Sequence, residues 1–213
     1  MFGTTTTHLV AFAVIASAVI VIPGPSVLFV VSRALANGRR VALLSVFGNS
    51  VGEYIQVCAV AGGLGVLAKQ SVEVFTVLKL AGGLYLVYLG VKTFRERGEV
   101  LTVTERDRRR ARRHPFLEGI VVGGTNPKTV VFLASILPQF VTLGAGQVTT
   151  QVLFLGLIFS AIATISDSGW ALAAGMARNW FARSPRRLTV LGGAGGIAIT
   201  AVGIGLLFAG RRT

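Results

Sequence analysis

The chain has 213 residues, 53% of them hydrophobic, and a mean hydropathy of +0.72. That composition excludes an ordinary soluble domain and places the chain among membrane proteins. The formal net charge of +13 would indicate nucleic acid for a soluble protein. Here the basic residues lie between apolar runs, and membrane topology accounts for them.

A spanning helix needs about 20 mostly apolar residues. Six segments meet that requirement: 9–35, 41–67, 72–94, 116–141, 148–176 and 188–210. The residues before Leu9 carry no lysine or arginine, and the apolar stretch after them is too long for a signal-peptide core. The first segment is free of charge over residues 9–32 but is interrupted by Pro23-Gly24-Pro25. The second carries Asn49, Glu53 and Gln56 on one helical face, by their spacing of four and three. It also holds the single cysteine, Cys58, so an internal disulfide is excluded. The third carries Tyr85 and Tyr88, placed to reach either a cavity or the membrane interface, where anchoring aromatics are common. The fourth is interrupted by Asn126-Pro127-Lys128, and the fifth carries Ser160, Thr164, Asp167 and Ser168 as a polar stripe. Gly48/Gly52, Gly119/Gly123 and Gly192/Gly196 are small-xxx-small pairs that let helix backbones approach closely, within the chain or in a homodimer.

The connection 95–114 holds Arg95, Arg97, Arg106, Arg108, Arg109, Arg110, Arg112 and Arg113. Arg39 and Arg40 lie in the first connection, and Arg178, Arg183, Arg186 and Arg187 in the fifth. These three connections share one side by parity. The positive-inside rule puts them in the cytoplasm and both termini outside. The 95–114 loop suits anionic lipid headgroups, and it lacks the interleaved aromatics of a nucleic-acid surface, so no nucleic acid is expected. The predicted architecture is all-α: one transporter domain over 1–213, with a first three-helix repeat at about 1–94, the basic loop, and an inverted second repeat at about 115–213. Pro25-Ser26-Val27-Leu28-Phe29 and Pro127-Lys128-Thr129-Val130-Val131-Phe132 carry a weak similarity that supports the repeat.

A proline break at membrane depth must be buried in protein or line a polar cavity, because lipid cannot satisfy the backbone groups it frees. Paired breaks in two halves of a chain point to a transporter binding site. Pro25 and Pro127 suit the first turn of a second half-helix, whose free N–H groups suit a carboxylate. The carbonyls freed before the break suit an ammonium group. Pro23, Gly24, Pro25, Ser26, Asn126, Pro127 and Lys128 are therefore the candidate substrate-binding residues; the simpler alternative is that the prolines only kink helices for packing. Lysine and aspartate each cost roughly 2.5–3.5 kcal/mol at the bilayer centre, so intramembrane ionisable residues are functional or paired. A carboxylate in a low-dielectric cavity favours its neutral form unless a cation is near. Asp167 and Glu53 are therefore the candidate proton-coupling residues. The competing reading is a static Asp167–Lys128 salt bridge. With histidine only at positions 8 and 114, no Walker-type phosphate loop and no nucleophile–base pair, neither a metal, a cofactor nor an enzymatic activity is expected.

The chain resembles the LysE-type amino-acid exporters, a group that includes lysine and homoserine/threonine exporters. The matching residues are Pro23-Gly24-Pro25-Ser26, Gly48 with Gly52, the run from Leu78-Lys79-Leu80-Ala81-Gly82-Gly83 through Leu84-Tyr85-Leu86-Val87-Tyr88-Leu89-Gly90, then Phe116, Gly119, Asn126-Pro127-Lys128, Phe132 and Pro138-Gln139-Phe140. Asp167 falls where that family has an acid, whereas Glu53 has no counterpart in the pattern. The resemblance implies a bacterial plasma-membrane exporter of amino acids or small derivatives, driven by the proton motive force. The alternative is a carrier or channel for a cation or another small solute, and Lys128 at mid-depth argues against a cation.

Overall fold

The computed structural model describes residues 6–67, 72–96, 113–142, 147–177, 180 and 184–208. Most of the arginine-rich loop lies outside the described residues. Eight α-helices and one short 3-10 helix make up the described chain, with no strand among those residues. They are α1 (Thr6–Val21), α2 (Pro25–Asn37), α3 (Arg39–Leu67), α4 (Val72–Arg95), α5 (Pro115–Gly124), α6 (Pro127–Ser135), the 3-10 turn Leu137–Phe140, α7 (Val148–Met176) and α8 (Pro185–Phe208).

The prolines set the element boundaries. Pro25 and Pro127 each begin a helix, as the fixed φ and absent N–H of proline favour. The chain bends by 52° between α1 and α2 and by 44° between α5 and the segment from Pro127 to Phe140. Helices α3 and α7 are each long and apolar enough to cross a membrane, and each bent pair adds one more candidate, giving up to four spans among the described residues. The six expected from sequence also require α4 and α8. Among the described residues, the second of these carries an apolar stretch over Thr189–Gly205.

Helix α3 organises the packing. It lies against α5, α7 and α2, while α4 pairs with α8 and also touches α6. Glycines sit at three of these crossings. A Cβ on Gly48 would overlap the Phe116 carbonyl, and one on Gly52 the Ile120 carbonyl. In the other direction, a Cβ on Gly119 would overlap the Ser45 carbonyl and one on Gly123 the Asn49 carbonyl. Residue numbers rise together along this contact, so α3 and α5 run parallel. The α4–α8 crossing pairs Gly90 with Gly196 and Thr200, and Gly83 with Gly203, so these helices run antiparallel. The α3–α7 crossing is also antiparallel, with Val57 against Gly156, Ser50 beside Thr164, and Arg39 against Gly175. Close approach raises the dispersion contact between helices that have no hydrophobic drive to associate within lipid. The glycine pairs of α3 and α5, together with Gly196, are thus engaged inside the chain.

Two apolar clusters flank the break region. Phe132 stacks on Phe159 with ring centroids 4.8 Å apart, and Phe12 meets both Phe132 and Phe140. The second cluster joins Val27, Val30, Val31 and Ala34 of α2 to Ala42 and Val46 of α3 and Ala171 and Ala174 of α7. Large apolar side chains also cover the outside, among them Val14, Phe47, Leu84, Ile165 and Met176. In water such a surface would be an aggregation liability; in lipid it is the normal contact face. Tyr85 and Tyr88 lie on that outer face against each other, which resolves their two sequence readings in favour of the periphery. Arg33 of α2 pairs with Glu118 in the first turn of α5, N–O 2.6 Å, both mostly buried. This ion pair links the two bent segments at one end.

The glycine crossings generate a direct test. Gly52→Leu or Gly123→Val should lower the melting temperature of the detergent-purified protein sharply or abolish its folding, since overpacking against backbone costs about 1–3 kcal/mol or more. Gly62→Ala and Gly63→Ala, where an added Cβ meets nothing within 4 Å, should leave it unchanged or raise it. Equal melting temperatures for the two sets would contradict the packing.

A candidate substrate site where two broken helices meet

Both breaks leave backbone carbonyls without helical partners, and side chains from elsewhere satisfy them. Lys128 Nζ, from the start of α6, donates to the Ile22 carbonyl at the first break, 2.7 Å. Gln56 Nε2, from α3, donates to the Gly124 carbonyl at 2.9 Å and lies 3.4 Å from the Asn126 carbonyl, which already accepts from the Val130 N–H at 3.1 Å. The sequence pattern reserves the freed carbonyls for a substrate ammonium; the chain's own Lys128 and Gln56 take those of Ile22 and Gly124. It also leaves the N–H groups of α6 free, whereas Asn126 caps that helix, its Oδ1 accepting from the Lys128 N–H at 3.1 Å. At α2 the cap residue is Gly24, without a side-chain hydrogen bond. A Cβ on Gly24 would lie 3.1 Å from Lys128 Cδ, so glycine leaves the lysine stem its path.

A buried polar chain runs from one break to the other and on to two carboxylates. Asn126 Nδ2 donates to Ser26 Oγ at 2.7 Å, and Ser26 Oγ donates to Asn49 Oδ1 at 3.0 Å. The two hydrogens of Asn49 Nδ2 then point to Glu53 Oε1 at 3.2 Å and Asp167 Oδ2 at 3.3 Å. Thr129 Oγ1 donates to Glu53 Oε1 at 3.4 Å. All these side chains are buried, Glu53 3%, Asp167 4% and Lys128 8% exposed, with Glu53 at the middle of α3. A small cavity opens at this point. Its wall includes Gly24, Ser26, Glu53, Asn126, Lys128 and Asp167, with Phe132 and Phe159 on the apolar side.

The structure therefore brings together Gly24, Ser26, Asn126, Lys128, Asp167 and Glu53, with Pro23, Pro25 and Pro127 framing the breaks. The Asp167–Lys128 salt bridge does not form: the ion pairs within 4.0 Å among the described residues are Arg33–Glu118 and Lys92–Glu96. The fifth-segment stripe divides, with Asp167 on the cavity while Thr164 faces Ser50 of α3, hydroxyl oxygens 2.6 Å apart. Asn49 and Thr129 are site residues beyond those expected from sequence. Asn49 is legible as part of the Asn49/Glu53/Gln56 face; Thr129, one β-branched residue in an apolar run, gives no such signal.

Gln56 is the cleanest residue to perturb, because it serves backbone rather than cavity. Gln56→Leu should leave the Gly124 carbonyl unsatisfied and cost about 1–3 kcal/mol of stability, read as a lower melting temperature. An unchanged melting temperature would mean that the break in the α5–α6 pair does not depend on this cap.

The sequence matches the LysE type translocator family over residues 17–210. It is 32% identical to the homoserine/homoserine lactone efflux protein of Salmonella typhimurium over 85% of this chain and 86% of that one. An uncharacterized membrane protein of Vibrio cholerae is 33% identical, covering 78% of this chain and 80% of its own. The leucine efflux protein of Salmonella choleraesuis is 27% identical over 60% of each chain. No solved structure matches. With a match spanning most of its length and the paired helix breaks joined at one buried cavity, the chain belongs to the LysE type translocator family of membrane proteins.

Proposed function

We propose that this protein exports amino acids or small derivatives across the bacterial plasma membrane in exchange for protons. The observation that carries this reading is the buried cavity where both helix breaks converge, holding one ammonium group, Lys128, and two carboxylates, Glu53 and Asp167. A zwitterion presents the complementary pair of charges. The relatives named for homoserine and leucine efflux agree with that substrate class. An inorganic cation is a poorer cargo, because the Lys128 ammonium lines the same cavity.

The helix directions support a six-span arrangement in two inverted repeats. Taking the bent pairs as spans one and four, α3 and α5 are parallel and α3–α7 and α4–α8 antiparallel, as alternating spans require. An in-plane two-fold axis would exchange α3 with α7 and α4 with α8, the two antiparallel pairs. In this arrangement the arginine-rich connections face the cytoplasm, both termini lie outside, and the 95–114 loop meets anionic headgroups. A cysteine at Thr104 in a Cys58→Ser background should resist an impermeant thiol reagent in intact cells and react after permeabilisation. Ready labelling in intact cells would reverse the orientation.

Within this cavity Lys128 Nζ keeps donor capacity beyond its bond to Ile22, since an ammonium has three hydrogens. It is the group placed to read a carboxylate. Asp167 is the proposed proton site. An amide at that position preserves shape but cannot cycle a proton. Asp167→Asn should therefore retain counterflow exchange in proteoliposomes at saturating substrate while losing uphill, pH-gradient-driven efflux. A well-folded variant that still pumps against a gradient would remove Asp167 from coupling.

A further inference from the structure

We infer that Glu53 and Asp167 together form the seat of the substrate's ammonium group, with Glu53 Oε2 as its first acceptor and Asn49 as the positioning residue that sets the two carboxylates. This rests on the exporter reading above and assigns one end of its substrate.

Glu53 comes from α3 and Asp167 from α7, and both line the cavity. Each is more than nine-tenths buried. A single neutral amide, Asn49 Nδ2, holds one oxygen of each. Glu53 Oε2 is buried and has no hydrogen-bond partner among the described residues. The lysine on the cavity wall does not pair with it: Lys128 Nζ is engaged by the Ile22 carbonyl and forms no ion pair with either acid within 4.0 Å.

Buried carboxylates without a directly paired cation are costly, and one with an unsatisfied oxygen more so. A primary ammonium brings one positive charge and three donors on a compact head. It would give Glu53 Oε2 its missing donor and bridge to Asp167. A proton on the same carboxylates removes the charge that holds the ammonium, so the two ligands exclude each other. Mutual exclusion at one site is the minimal requirement for exchange of substrate against proton. Asn49 is itself held in place, because its Oδ1 is fixed by Ser26, which is in turn fixed by Asn126. Its two N–H hydrogens therefore have set directions, and the carboxylates are held in register even when the seat is empty.

The specificity this implies at this end of the substrate is for an amino group. Hydroxy acids, in which OH replaces the ammonium, should be poor ligands. Proteoliposomes test this by counterflow with a panel of labelled L-amino acids that includes homoserine and leucine. For each amino acid that exchanges, the hydroxy-acid analogue is the competitor. The expected result is that the hydroxy acid competes about tenfold more weakly or worse, the loss of a charged hydrogen bond. Glu53→Gln should weaken the amino acid by about ten- to a hundredfold, leave the hydroxy acid unchanged, and keep the melting temperature. Equal competition by the hydroxy acid on the wild-type protein overturns the ammonium seat and needs no variant to fold. An unchanged amino-acid affinity in Glu53→Gln overturns it too. Either result leaves the exporter reading standing. A wild-type protein that exchanges no amino acid in the panel overturns the exporter reading and this inference together.

Discussion

Everything in this fold follows from the requirement that backbone polar groups at membrane depth find partners inside the protein. Lipid supplies no hydrogen bonds, and each unsatisfied group costs several kcal/mol. A proline break frees such groups, so it survives only where other segments bring donors to it. Lys128 reaches across from the second break to the carbonyl of Ile22 at the first. Gln56 does the same for the Gly124 carbonyl at the second break. Each break is thus completed by a residue far away in sequence, and the two breaks are held at one place. The polar cavity is a consequence of that arrangement. Once Asn126, Ser26 and Asn49 are linked, the carboxylates of α3 and α7 are delivered to the same small space.

Close helix packing is what makes these reaches possible. Asn49, Glu53 and Gln56 sit on α3 near the glycines that press it against α5. Asn49 and Gly123 are themselves in backbone contact at that crossing. A larger residue at Gly48, Gly52, Gly119 or Gly123 would push α5 outward and carry Gly124 and Asn126 away from Gln56. The small-residue crossings and the polar cavity therefore depend on each other: the glycines set the distance and the polar side chains use it. Arg33 and Glu118 add an ion pair at one end of the same two segments.

Much of this is legible in the sequence, for reasons that can be named. Proline positions report backbone breaks directly, and both helix starts fall at Pro25 and Pro127. Helical spacing places Asn49, Glu53 and Gln56 on one face, and the cost of intramembrane charge singles out Lys128 and Asp167. What spacing cannot give is the partner of a long side chain. Opposite charge at mid-depth suggests Lys128 with Asp167, but the lysine stem passes Gly24 and ends on a carbonyl. The α4–α8 crossing of Gly83, Gly90, Gly196 and Gly203 is similarly obscured, since these glycines are seven residues apart on each helix and their pairing depends on tertiary register. Thr129 reaches the site only because the break places its neighbour there.

If the two breaks build a single substrate site among Lys128, Glu53 and Asp167, an experimental structure of the purified protein with a bound amino acid that it exchanges will show this most directly. The ligand should lie in the cavity between the breaks, its amino group within hydrogen-bond distance of Glu53 and its carboxylate toward Lys128. A ligand seated elsewhere, for example between α4 and α8, with this cavity closed, would contradict a site built by the breaks.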